Sequence, residues 1–233
     1  MRALLFAAPA ALLIAVTPAS AASFISGPGS VTLDRADDFT WTVAYAATAG
    51  DGLAGTTGSI LFNFLSANAA GTTWNFSYVV DNTSTALSPG SELSSFGFDT
   101  SGTESRVTSG AGNLFRAALG TGNFNGLGGR DVCLYAGPNC NGGGSNGVGS
   151  SQTPVSGTFA LEFGSGVSTL VFDDFVARWQ STGANGNGSA SGPGTVMGAV
   201  PEPATWAMML LGFGAVGYSM RRRKATVHLG YAV

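Results

Sequence analysis

Between Ser23 and Ala199 the chain contains no histidine and no lysine; His228 and Lys224 both lie in the C-terminal tail. Without imidazole there is no Ser-His-Asp or Cys-His nucleophile pair, no histidine metal ligand and no imidazole general base. Without lysine there is no Schiff base and no Ser-Lys dyad. Two carboxylates flanking a bond could still work as in a glycosidase, but nothing in the sequence singles out such a pair. Cationic side chains are scarce as well. Arg35, Arg106, Arg116, Arg130 and Arg178 stand against twelve acids, a net charge near −7 in a chain whose total is −3. The difference comes from Arg2, Glu202 and a basic cluster near the C-terminus. With no basic patch to neutralise phosphates, nucleic acid is a poor partner and none is expected. Two cysteines without histidine are too few for a zinc site. These absences point to a protein that is not an enzyme and needs no cofactor or metal.

What is present begins at the two ends. Met1–Ala21 has the form of a secretory signal peptide: Arg2 as a minimal positive region, an apolar stretch from Ala3 to Val16, and a helix-breaking Pro18. Ala19-Ser20-Ala21 then supplies the small-residue cleavage site. Near the other end, Pro201-Glu202-Pro203 is followed by Trp206-Ala207, an uncharged apolar run from Ala204 to Met220, and Arg221, Arg222, Arg223 and Lys224. A helix of that run reaches about 25 Å, the low edge of what spans a bilayer core. The basic cluster would hold its end in the cytoplasm.

This C-terminal stretch resembles the PEPxxWA form of the PEP-CTERM sorting signal. The resemblance implies processing at the cell surface by an exosortase, a membrane-embedded cysteine transpeptidase-like enzyme of Gram-negative bacteria that make exopolysaccharide. On that reading the inner membrane holds only a transient precursor. A looser similarity, to the cistern family of PEP-CTERM proteins, rests on C-L-Y-A-G-P-N-C-N-G-G-G, G-T-F-A-L-E-F and F-D-D-F-V-A-R-W-Q-S-T-G in that order. It implies an exported, matrix-associated protein and carries over no active site.

Between the two signals the chain reads as all-β. Trp41, Val43 and Tyr45 alternate with Thr42 and Ala44, and Trp74, Phe76, Tyr78 and Val80 alternate with Asn75, Ser77 and Val79. Period-two patterning of this kind marks strands with one buried face. Further strands are expected at 30–33, 59–65, 93–98, 113–118, 130–135, 157–163 and 169–180, separated by Gly, Asn, Ser and Pro clusters. Many short aromatic strands without a fixed repeat predict two antiparallel sheets face to face, a β-sandwich or jelly roll.

The segmentation expected is therefore a signal peptide at 1–21, a β domain at 22–182, a spacer at 183–199, the sorting signal at 200–224 with its membrane helix at 204–220, and a tail at 225–233. The spacer is assigned because Gly183 to Gly198 holds almost only small residues, a composition that does not bury a core. Cys133 and Cys140 flank Gly137-Pro138 in an exported chain, which predicts a disulfide. Two acidic groups, Asp34/Asp37/Asp38 and Asp173-Asp174, lack the loop spacing of a calcium site. They are read as surface carboxylates near strand ends.

Two functions remain. One is a non-catalytic component of the cell surface or of the exopolysaccharide matrix and biofilm. The alternative is a lectin-like module stacking glycans on Trp41, Tyr45, Trp74, Tyr78, Tyr135 or Trp179, though the alternation places most of these rings on buried faces. A secreted hydrolase is third.

Overall fold

The structure is a computed structural model and describes residues 23–27, 29–85, 90–120, 123–142, 146–197, 212–214 and 217–218. Fourteen strands occupy the described residues: β1 (Phe24–Gly27), β2 (Ser30–Asp34), β3 (Thr40–Ala46), β4 (Ala49–Gly50), β5 (Thr57–Ala67), β6 (Thr73–Asp81), β7 (Glu92–Thr100), β8 (Glu104–Ser109), β9 (Arg116–Leu119), β10 (Val132–Tyr135), β11 (Val148–Gly149), β12 (Val155–Phe163), β13 (Thr169–Thr182) and β14 (Gly188–Met197). Every pairing is antiparallel, and the main path runs β8-β12-β6-β5-β3-β14-β13-β7-β10-β9. The path folds back on itself, so its two halves face each other as the layers of a sandwich.

The alternation read from the sequence is what fills the space between them. One layer turns Trp41, Phe62, Phe76, Tyr78 and Phe159 inward; the other turns in Phe96, Phe98, Phe172, Phe175 and Trp179. Rings meet across the gap at edge-to-face or tilted angles: Phe76 with Phe172 at 5.2 Å, Tyr78 with Phe96 at 5.5 Å, and Phe98 with Phe159 at 5.8 Å. Within a layer, Trp41 stacks on its cross-strand partner Phe62 at 5.2 Å. Aromatic pairs at these separations contribute about 0.5–1.5 kcal/mol each beyond area burial.

The boundary drawn at 183 needs correction. Residues 188–197, read from composition as a spacer, form a ten-residue strand at the centre of the path. Gly188 to Pro193 pair with β13, and Gly194 to Met197 pair with β3. β14 therefore leaves one layer at Gly192-Pro193-Gly194 and enters the other. Small residues are a packing requirement there. A Cβ on Gly192 would lie 1.8 Å from the Ala46 carbonyl oxygen, and one on Gly194 would lie 2.5 Å from Val43 Cγ1. Ala190 and Ser191 are fully buried. Ala49–Gly50 forms the short strand β4, paired along β14.

Buried polar groups tie the loops at the end opposite the chain exit. Asn82 donates through Nδ2 to the carbonyls of Ser91 and Val148, each at 2.8 Å, and its Oδ1 accepts from the Ser84 hydroxyl at 2.7 Å. Arg178 donates to Asn125 Oδ1 at 2.7 Å and to Ser189 Oγ at 2.9 Å, fastening the 123–128 loop across β13 and β14.

Candidate functional site

Three regions carry the chemistry of the surface. The first is the pair of cysteines. Cys133 sits in β10 between Gly97 of β7 and Ala118 of β9, and Cys140 follows the Gly137-Pro138 turn. Their sulfurs are bonded, with Cα atoms 6.2 Å apart. Both residues are buried, and the Cys140 carbonyl accepts from Ser95 Oγ at 3.1 Å. The predicted disulfide is present, and it ties the 136–140 turn down to the β7/β10 layer.

The second region is an acidic end. Asp99 and Asp173 stand opposite one another across β7 and β13. The Asp131 amide donates to Asp99 Oδ1 at 2.8 Å, the Thr100 amide donates to Asp131 Oδ2 at 3.3 Å, and the Thr100 hydroxyl donates to Glu104. Burial pushes the carboxyls of Asp99, Glu104 and Asp173 above their ordinary range, and neighbouring carboxylates push them further. A regular strand would put Asp173 and Asp174 on opposite faces. β13 instead bulges between Asp173 and Val176, with Asp174 at φ 47° and its carbonyl accepting from Arg130 Nε. Bulges of this kind re-aim side chains and add twist. Among the described residues no three His, Cys, Asp or Glu side chains converge to hold a metal ion. In the other acidic group, Asp34 Oδ1 accepts from the Ala36 amide and Asp37 Oδ2 from the Ser23 amide, so these carboxylates brace a loop.

The third region is the outer face of the layer β8-β12-β6-β5-β3 with the end of β14. Its outward residues follow from the register: Thr42 beside Leu61, Asn63 beside Ser77, Ser77 beside Thr158, and Ala160 between Asn75 and Thr108. Hydroxyls and amides dominate, joined by cross-strand bonds such as Thr40 Oγ1 to Asn63 Oδ1 at 2.8 Å and Asn75 Nδ2 to Ser66 Oγ at 3.1 Å. Charge is confined to the margins, at Asp81 and at the Arg106–Glu162 ion pair of 3.9 Å. Beside the bulge between Phe64 and Ser66 lies a shallow groove of about 410 Å³, lined by Ser66, Asn75, Thr108, Ser109 and Thr158 together with the apolar Leu65, Phe76, Phe159 and Ala160.

The rings proposed from sequence for sugar stacking are elsewhere. Trp41, Tyr45, Trp74, Tyr78 and Trp179 are all core residues, at most 3% exposed. Tyr135 is half-buried beneath the Arg116 guanidinium, 5.1 Å from its ring centre. The polar face was missed because Thr, Ser and Asn at outward positions look like ordinary solvent-facing strand residues. Its signal, the near absence of charge across five strands, shows only when the strands are set side by side.

The cleavage residues Ala19 and Ala21, the motif Pro201, Glu202, Pro203, Trp206 and Ala207, and the cluster Arg221, Arg222, Arg223 and Lys224 lie outside the described residues. Of the expected membrane helix, Gly212, Phe213, Gly214, Gly217 and Tyr218 are described, and they are helical and exposed. Among the described residues no helix is long and apolar enough to cross a membrane.

Residues 199–224 match the model of the PEP-CTERM protein-sorting motif. The chain is thus an all-β protein bearing the signal of an exosortase substrate. That signal implies export, a membrane-anchored precursor and sorting to the surface. No curated protein and no solved structure matches the chain.

Proposed function

We propose that the mature protein is a non-catalytic component of the extracellular polysaccharide matrix, released from its membrane segment and held there by the uncharged outer face of the β8-β12-β6-β5-β3 layer. The observation that carries this reading is the contrast between that face and the rest of the domain. Acids outnumber bases by more than two to one in the domain, yet this face offers Thr, Ser and Asn, interspersed with the exposed Leu61, Leu65 and Met197, with charge only at its edges. Hydroxyl and amide groups on a rigid sheet are suited to a neutral polyhydroxylated polymer, and many weak contacts along a repeating chain add by multivalency. The absence of histidine and lysine from the domain supports a role without catalysis. Glycan stacking on tryptophan has no support, since those rings form the core.

Native electrophoresis through gels containing dextran, alginate or the source bacterium's own exopolysaccharide tests the reading. Retardation by a neutral polymer, lost in Thr158→Arg together with Asn75→Ala, is the expected result. Each mobility is read relative to the same protein in a polymer-free gel, since the arginine itself changes the charge; no retardation of the wild type, or equal retardation of both proteins, would discard it. Mass spectrometry of the surface-released protein tests the processing: peptides from Trp206 to Lys224 still covalently attached would show that the tail is retained.

A further inference from the structure

We infer that the membrane-embedded processing enzyme meets the folded domain end-on, at the rim where β14 leaves the sheet. This rests on the sorting signal being used as such. The observation behind it is the replacement of the expected spacer by a strand. Met197 is hydrogen-bonded in register with Thr42 of β3, and only three residues, Gly198, Ala199 and Val200, separate it from Pro201. At about 3.3–3.6 Å per residue, the four steps from Met197 to Pro201 reach no more than about 14 Å.

The strand directions define what lies at that end. β14 exits beside Thr40 and Asn63, where the 35–39, 68–72 and 164–168 loops come together. These loops are bonded into one rim. The Arg35 amide donates to the Ser168 carbonyl at 3.4 Å and its guanidinium to the Ala69 carbonyl at 2.7 Å; the Val167 amide donates to the Gly71 carbonyl at 3.0 Å. The opposite end, at the 183–187 turn, lies a full strand away, roughly 30 Å at 3.3 Å per residue. An enzyme acting at Pro201-Glu202-Pro203 therefore works within about 14 Å of the rim, and the far end lies well beyond that reach. The rim carries Asp34, Asp37 and Asp38 against Arg35 and the Arg106–Glu162 pair beside Thr73, with Asp99, Asp131 and Arg130 at the adjoining acidic end, so its acids outnumber its bases and the partner surface it fits is neutral or basic. The enzyme must accept a folded β domain at its entrance.

Site-specific photo-crosslinking in the intact precursor, in cells, tests this. A benzophenone amino acid is placed at the exposed rim positions Ala36 or Ala70, or at the far-end positions Ala54 or Ala184. The expected result is an adduct with the exosortase from the rim positions alone, absent in a strain lacking the enzyme. Inserting twenty Gly/Ser residues after Met197 should reduce the rim adduct several-fold while leaving the sheet intact. Adducts of equal yield from both ends, rim adducts with lipid only, or no rim adduct would each overturn the inference. Failure of the sorting reading is distinguishable: the tail would then remain on the wild-type protein with and without the enzyme.

Discussion

Replacing Gly192 by alanine adds one methyl group to a segment whose composition is that of a linker. In a true linker the change would be neutral or slightly stabilising, by less than about 1 kcal/mol, through reduced freedom of the unfolded chain. In the structure the new Cβ would lie 1.8 Å from the Ala46 carbonyl oxygen, 2.5 Å from its carbon and 2.9 Å from Ala47 Cα. All three contacts are backbone, so no side-chain rotation relieves them. The end of β3 or the crossover of β14 must move by more than an ångström, with loss of ladder hydrogen bonds where the two layers join. Overpacking of this kind costs typically about 1–3 kcal/mol, and contact with main chain puts Gly192→Ala at the upper end, about 3 kcal/mol. For a domain of this size that is a fall in Tm of roughly 6–12 °C. Urea denaturation of the purified protein, followed by tryptophan fluorescence, reads it directly, because Trp41 and Trp179 lie in the two layers that β14 joins. Ala184→Ser, in the exposed turn before β14, is the control and should change stability by less than about 0.5 kcal/mol. Equal midpoints for wild type, Gly192→Ala and the control would refute the placement of β14 in the sheet.

Asn82→Asp should destabilise the domain by about 2–4 kcal/mol, since a carboxylate would replace the amide donor that faces two buried carbonyls; an unchanged urea midpoint would contradict the buried network. The carboxyls of Asp99, Glu104 and Asp173 are raised from ordinary values of 3.8, 4.5 and 3.8, chiefly by burial. The native state then binds protons more tightly than the unfolded chain, so this contribution is fully present below about pH 4 and is lost as pH rises through the raised values. Asp173→Asn should therefore raise unfolding free energy at pH 7 more than at pH 4, by about 0.2–1 kcal/mol for one unfavourable cross-strand pair; an equal effect at both pH values would refute the coupling. Reducing Cys133–Cys140 should lower stability by about 2–3 kcal/mol on the chain-entropy estimate without unfolding the aromatic core, as read by near-ultraviolet circular dichroism in dithiothreitol.

Strands with one dry face were legible in the sequence wherever their inward residues were large. β3 and β6 follow the alternation of Trp, Phe, Tyr and Val residue for residue, and the observed cores of β5, β12 and β13 fall where apolar side chains recur. β8 was missed because Glu104 to Ser109 lies at the edge of a layer and none of its residues is fully buried. β14 was missed for the opposite reason. Its inward and closely approached positions up to the crossover, Ala190, Ser191, Gly192 and Gly194, lie so near their neighbours that only small residues fit, and small residues carry no periodic signal. The disulfide was readable from export and spacing. The bulge at Asp174 was not, since it arises from the fit of β13 against β7 rather than from any local turn residue. The uncharged face is invisible in any single strand and emerges only from their lateral order.

The same crossover strand has a kinetic side. β14 fills the slot between β13 and β3, yet it is the last strand of the domain to be synthesised and exported. Its pairing with β3 joins segments about 150 residues apart in sequence, the kind of distant contact that slows folding. Until Met197 has crossed the membrane, β3 presents an open edge over Thr42–Tyr45 and β13 one over Val176–Thr182, the start of that edge being held by β2. Open edges are templates for association with other chains. The emerging polypeptide thus passes through a stage in which two half-sandwiches share a gap, and crowding of precursors at the export site is most dangerous then. Variants that slow the arrival of β14 should aggregate during export even where the finished domain is stable.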